Sequence, residues 1–445
     1  MTLPRNVLFT ILLAMALTAC GESGDFSPDE AATAIAETVA ALDTPTGATT
    51  AEPAATAEEH TVPSATAAPT PSLVVVYTDG GNVALVGESG GPTFLTGSGR
   101  VEQVRISDDG TKIAYTRRPV DGAPVELHVV NADASGDTIL MSPSDFDALY
   151  PLSGALHHDL YQFDFLPASH VLLLNTRSIF EGPGLAKLDD LIRIDTDSLS
   201  RTLLLAPGTG GDFTASPDGR YLALVRPDTI EIRMPDGSPS GSGVITYAPV
   251  VTYSEYAYYA QPVWRSDSTL LGSVIPSSDP LAPATSGAVW RLPPGAAAGL
   301  VSTISAQFFF FGTGTEPLLS PTLDRLAYTR STTTPNVWNL YIASDVGSGE
   351  VLVASGDVTW KGWSPDGARF VFSLGGPMSL QLGDTTGTSA PLVTGTSLRW
   401  FNPAEFLFLS GSSSAWTLQR GGVGLASAAL ASPAGSFVDY DFAYR

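Results

Sequence analysis

Three stretches of the chain spell the same turn between two strands. Ser107-Asp108-Asp109-Gly110 precedes Ile113-Ala114-Tyr115, Ser216-Pro217-Asp218-Gly219 precedes Leu222-Ala223-Leu224, and Ser364-Pro365-Asp366-Gly367 precedes Phe370-Val371-Phe372. Each position has a mechanical reason: Pro presets φ, Asp bonds the backbone just beyond it, and Gly takes the positive φ that joins the strands. A unit of this size cannot bury its apolar face alone, so copies must stack on one another.

Weaker copies fall in step. They lie at Leu166-Pro167 before Val171-Leu172-Leu173, Trp264-Arg265-Ser266-Asp267 before Leu270-Leu271, Ser320-Pro321-Thr322 before Leu326-Ala327-Tyr328, and Phe401-Asn402-Pro403 before Phe406-Leu407-Phe408. Further strand-like text follows each, as in Trp338-Asn339-Leu340-Tyr341-Ile342 then Glu350-Val351-Leu352-Val353, completing a four-stranded unit. The ends complement each other: residues 437–444 read as a first strand without a second, and Leu73-Val74-Val75-Val76-Tyr77 as a second strand without a first. Pairing them closes a ring and removes the exposed edges. The expected fold is an all-β propeller over 73–445 with eight four-stranded blades of about 47 residues each, or seven if one weak copy is not a blade.

The Ser-Pro-Asp-Gly turn with its Leu-Ala-Leu or Ile-Ala-Tyr strand resembles the repeat of TolB-type β-propellers, also found in the propellers of prolyl oligopeptidase relatives. That resemblance spans 73–445 and implies architecture more than activity, since such propellers serve as binding platforms, scaffolds or gates to attached hydrolases. The α/β segment that such a hydrolase requires is not expected here.

The first twenty residues predict an address. Arg5 gives a positive n-region, 7–16 an apolar core, and Leu17-Thr18-Ala19-Cys20 a small-residue ending. This resembles the lipobox of bacterial lipoproteins, which implies cleavage after residue 19 and a diacylglycerol, with palmitate-type acyl chains, on Cys20. Cys20 is the single cysteine, so no intramolecular disulfide supports the fold. Gly21, rather than Asp, points by the family's sorting rule to the outer membrane where one exists. Residues 20–72 are rich in Ala, Thr and Pro and read as a disordered stalk. Within it Ser27-Pro28-Asp29-Glu30 carries helix-start signals, predicting a short helix over 28–42. The expected location is lipid-anchored at the cell or outer membrane, facing the periplasm or exterior.

With 22 Lys+Arg against 45 Asp+Glu the net charge is −23, which argues against a nucleic-acid partner. Gly87-Glu88-Ser89-Gly90-Gly91 fits the G-x-S-x-G pattern, but it sits between strands, where no helix follows to support an oxyanion site. His157-His158-Asp159, with His170 beyond, is the one grouping that suggests a metal; neighbours on a strand face opposite ways, so a loop or solvated pair is the expected reading. Asp108-Asp109 lacks the spacing of a calcium loop. Tyr253, Tyr256, Tyr258 and Tyr259 fall in a long inter-blade stretch and are candidate binding residues, with strand packing as the competing account. Phe308 to Phe311 reads as buried strand. No catalytic residue, cofactor or metal site is expected. The predicted role is a binding or scaffold module for an envelope protein, peptide or glycan, with its membrane contact through Cys20. The alternatives are a hydrolase or lyase with a central-channel site, and a structural subunit of an envelope complex.

Overall fold

The computed structural model describes residues 72–181, 185–252, 256–279, 285–305, 317–413 and 415–444. The leader, Cys20, the stalk with its expected helix over 28–42, Tyr253 and Phe308 to Phe311 lie outside these residues.

The described chain is all-β apart from one short helix, and its strands form an eight-bladed propeller. Blade 1 is the composite: the order from the rim inward is Thr93–Phe94, Asn82–Gly87, Leu73–Asp79 and Tyr440–Tyr444. Leu73 pairs with Tyr444 and Tyr77 with Tyr440, so the two ends of the propeller are hydrogen-bonded in one sheet. The innermost strands of the next blades are Val101–Ile106, His157–Phe165, Asp212–Ala215 and Val263–Trp264, and those of blades 7 and 8 are Val358–Trp363 and Thr396–Trp400. In blade 6 the first strand is represented, among the described residues, by a bridge between Leu319 and Leu326. In blade 3 the third strand is interrupted, with Leu185–Lys187 and Leu191–Asp195 both pairing with Val171–Ile179. Eight blades therefore replace the alternative of seven.

The repeated turn is held as its sequence requires. Ser216 Oγ donates to Asp218 Oδ1 at 2.6 Å and accepts the Tyr221 N–H at 3.0 Å, while Asp218 Oδ1 accepts the Arg220 N–H at 3.1 Å. Gly219 takes φ +68°, and Gly110 and Gly367 match it at +70° and +68°. Two degenerate copies place Ser268 and Leu323 in the same left-handed region, at +62° and +65°.

Neighbouring blades share hydrophobic layers. Val76 and Leu85 of blade 1 pack with Val104 and Ile113 of blade 2, and Leu407 and Leu418 of blade 8 with Tyr77 and Tyr440. Trp360 is fully buried between blades 6 and 7, where truncation to Ala would cost about 3–5 kcal/mol. An innermost strand has a free backbone edge, and side chains from adjoining blades satisfy much of it. Asp439 Oδ2 and Asp441 Oδ2 accept the N–H groups of Val104 and Ile106 at 3.0 and 3.1 Å. The Gln162 amide imitates a β-bridge to Phe213, donating to its carbonyl at 2.8 Å and accepting its N–H at 3.1 Å. Trp264 and Trp363 donate to the Thr214 and Leu318 carbonyls at 3.1 and 3.0 Å.

The helix, Pro143–Asp147, has a capping box in which the side chains of Ser142 and Asp145 each accept the other's backbone N–H. Asp147 then accepts the His158 N–H at 2.7 Å. His157 and His158 accordingly begin a nine-residue strand, not a loop, and His158 is buried rather than solvated. Its ring sits edge-on to Tyr150 and within 3.1 Å of Ser178 Oγ.

Candidate functional site

Two cavities adjoin at the end of the ring where the innermost strands begin. One, of about 430 Å³, is lined by Glu102, Gln103, Arg118, Tyr161, Arg177 and Phe437 among others. The second, of about 510 Å³, shares Gln103 and Tyr161 and continues past Gln162, Asp212, Phe213 and Gln261. Both volumes lie in the range of small-molecule sites. Phe437, just before the closing strand, is 66 % exposed at the rim of the first cavity.

A buried carboxylate, Asp159, ties together residues of the first cavity's wall. Asp159 Oδ1 accepts the N–H groups of Val125 and Leu160 at 3.1 and 3.0 Å, and Arg177 donates to Oδ2 at 3.3 Å. Arg118 forms a fork on Glu102, with Nε at 2.8 Å from Oε1, and also donates to the Ala123 carbonyl.

Beside the second cavity, Lys187 Nζ lies 3.4 Å from the ring centroid of Tyr259 and 4.3 Å from that of Tyr161, and 2.6 Å from Asp212 Oδ2. Tyr259 donates its hydroxyl to both oxygens of Asp189 at 3.0 Å. Burial pushes the Asp189 carboxyl up to about 6, with the Tyr259 hydrogen bond and Lys187 holding it down and Asp212 adding to the rise. Burial also raises Asp212, against the pull of Lys187. Tyr258 and Tyr259 are half-buried against the core between blades 4 and 5. Tyr256 lies in a two-residue strand paired with Thr252, and Tyr253 is outside the described residues. The residues that line the cavities, above all Tyr161, Arg177 and Asp212, were missed in the sequence because no local pattern marks them. A signal existed only in their positions near the starts of first strands or on the strand beside one.

Deeper along the innermost strands lies a cluster of charge. Arg105 contacts Asp439 at 3.0 Å, and Arg399 approaches Asp439 and Asp441 at 3.4 and 3.5 Å. Asp164, surrounded by protein yet open to solvent along the axis, is pushed by burial and by Asp441 up to about 6, against the pull of Arg105. Burial opposes the charge on Arg105, but Asp439, Asp441 and Asp164 together raise its pKa.

At the opposite end, a cavity of about 350 Å³ is lined by Asp108, Asp109, Ala168, Ser169 and His170. Here Thr111 Oγ1 lies 3.0 Å from His170 Nε2, and His170 Nδ1 lies 2.8 Å from Asp197 Oδ2, the outline of a hydroxyl–His–carboxylate array. A second carboxylate changes its chemistry. Asp109 approaches His170 Nε2 at 3.0 Å and accepts the Thr111 hydroxyl at 2.8 and 2.9 Å. Burial opposes protonation of His170, but Asp109 and Asp197 outweigh it and raise its pKa. That shift favours the protonated ring, the form that does not take a proton from a nucleophile. Asp108 accepts the Ala168 N–H at 2.7 Å, so the acidic pair serves turn geometry and the contact between blades 2 and 3. The G-x-S-x-G stretch lies between the strands Asn82–Gly87 and Thr93–Phe94, as a hairpin turn. Among the described residues no group of three or more His, Cys, Asp and Glu side chains is placed to hold a metal ion. Also among them, no helix is long and apolar enough to cross a membrane.

No family model matches the chain, and no curated protein matches it. Solved structures do. One described as a eukaryotic initiation factor is 11 % identical, with a TM-score of 0.47, covering 85 % of this chain and 98 % of its own. An oligogalacturonate lyase in complex with manganese is 14 % identical at a TM-score of 0.41, covering 80 % and 97 %. TolB from Acinetobacter baumannii is 14 % identical at 0.31, covering 62 % of each chain. These likenesses assign no chemistry to this chain.

Proposed function

We propose that this chain is an extracytoplasmic binding module. In this reading a lipid on Cys20 holds it at the membrane, residues 20–72 form the stalk, and the propeller seats an envelope protein, peptide or glycan where its innermost strands begin. The observation that supports it is the pair of adjoining cavities that share Gln103 and Tyr161. Loops carried on a rigid ring are favourable places for recognition, because the sheets fix their spacing. Covering the exposed part of the Phe437 ring would contribute about 1–2 kcal/mol before the costs of association. The reading calls for no reaction, in keeping with a His170 that favours its proton.

The test places a photo-crosslinking residue in the full-length protein in its own cells, as Phe437→p-benzoylphenylalanine, with Ala168→p-benzoylphenylalanine at the opposite end as control. Adducts from position 437 and not from 168 are expected. Adducts from 168 alone, or none from 437, would overturn the proposal.

A further inference from the structure

Asp439 in blade 1, Gln103 in blade 2 and Gln162 in blade 3 occupy one and the same repeat position. Their equivalence is visible in the hydrogen bonds: the N–H of each is taken by a side chain of the second strand, by Thr78 Oγ1 at 3.0 Å, Thr116 Oγ1 at 3.1 Å and Asn175 Oδ1 at 3.0 Å. Gln103 and Gln162 also each follow a bulge in the innermost strand, a feature that re-aims the side chain beside it.

Two of these three side chains are spent on the main chain of the following blade. Asp439 accepts the Val104 N–H at 3.0 Å, and the Gln162 amide donates to the Phe213 carbonyl at 2.8 Å and accepts its N–H at 3.1 Å. The residue of blade 3 that corresponds to Val104 and Phe213 is Phe163, and Gln103 does not bond it. The Gln103 side chain is exposed and makes no hydrogen bond among the described residues. It lies in the wall of both cavities, the first of which opens between residues of blades 2 and 3.

The charged groups around it are matched among themselves: Arg118 with Glu102 at 2.8 Å, Arg177 with Asp159 at 3.3 Å and Lys187 with Asp212 at 2.6 Å. Gln103 adds a neutral donor and acceptor side by side. Gln162 shows what an amide at this position fits, the C=O and N–H of a single residue of extended main chain. A sugar offers hydroxyls but not that pair.

We propose that Gln103 grips the main chain of an extended peptide segment where the two cavities meet, as Gln162 grips Phe213, with side chains of the segment entering the cavities. Recognition of this kind draws affinity from main-chain bonds and selectivity from side-chain pockets. The inference rests on the mouth of the ring being the binding surface, as proposed above.

The test is affinity selection on the full-length protein in detergent, read by mass spectrometry. The probes are a capped library, acetyl-Ala-X-Ala-X-Ala-amide, the same library with every alanine N-methylated, and a mixture of cellobiose, maltotriose and chitotriose. Capped peptides should be retained, and N-methylation, which removes the N–H groups that Gln103 would accept, should reduce retention by about tenfold or more. Gln103→Ala should lower retention of the unmethylated library to a similar degree and remove its advantage over the methylated one. Its melting temperature should match the parent's, whereas Gln162→Ala, which breaks a bridge between blades, should melt earlier. Equal retention of both libraries by the unaltered protein, retention of sugars alone or of nothing would overturn the assignment. So would a Gln103→Ala that melts as early as Gln162→Ala, since the amide would then be an internal bridge. Crosslinking from position 437 with no peptide retained would remove this ligand class and leave the mouth as the binding surface.

Discussion

His170 joins two blades through charge: Asp109 comes from the turn of blade 2 and Asp197 from blade 3, where Lys112 also reaches Asp197 at 2.9 Å. Its raised pKa means that its contribution to stability is complete below the unfolded value of about 6.5 and fades as pH rises through the higher folded value. Asp164 and Asp189, both pushed up to about 6, act in the same direction for a different reason. As acids raised above their unfolded value of about 3.9, they destabilise the fold when ionised, and that cost disappears as pH falls from 6 toward 4. The melting temperature should therefore be higher at pH 5.5 than at pH 8. His170→Gln should lower it more at pH 5.5 than at pH 8, and Asp164→Asn should raise it at pH 8. Thermal scans across this range check the prediction, and a maximum at pH 8 would contradict it. None of this was legible in the sequence: His170 stands 61 positions from Asp109, and only the stacking of blades 2 and 3 brings them together.

The closing strand shows what a single element can and cannot reveal. Its pairing with Leu73–Asp79 was readable, because an unmatched first strand and an unmatched second strand at opposite ends of a repeat have one economical solution. Its extent was overestimated, since the strand begins at Tyr440 and not near Phe437, whose ring lies at the cavity rim. The residues between are put to other use. Asp439 caps the Val104 N–H and contacts Arg105, and Tyr440 donates to the Leu407 carbonyl at 3.1 Å and to that of Ser397. Asp439→Ala leaves a backbone donor and Arg105 without their carboxylate, so it should destabilise the protein by about 3 kcal/mol. Asp439→Asn, which keeps an acceptor, should cost less. Urea denaturation with unchanged m-value reads both, and an Asp439→Ala midpoint equal to the parent's would refute the role of this residue. The short helix at Pro143–Asp147 was overlooked although Ser142-Pro143 and Asp145 carry its start signals, because a helix of five residues leaves no apolar periodicity to find.

For the molecule as a whole, the proposed lipid anchor sets where any ligand is met. Cys20→Ser should abolish incorporation of labelled palmitate and shift the protein from the membrane to the soluble fraction; a variant that stays in the membrane would argue against anchorage at that residue. The amino-acid sequence by itself determined the class of fold, the turn chemistry and the closing of the ends, because these are local or repeated and each copy reports the same rule; it favoured eight blades and left seven open, which the sheet topology decided. It also carried the expectation of an exported, lipidated chain, which depends on contiguous residues alone. The tertiary structure decided which end of the ring holds the cavities, that Arg177 and Asp212 lie at adjoining walls, and that His170 is held between two carboxylates. Those groups come from different blades or from separate strands of one blade. Their chemistry arises from proximity across the sheets, which no repeat encodes, since a propeller repeat specifies how each blade packs on the next and leaves the side chains at its ends free to differ.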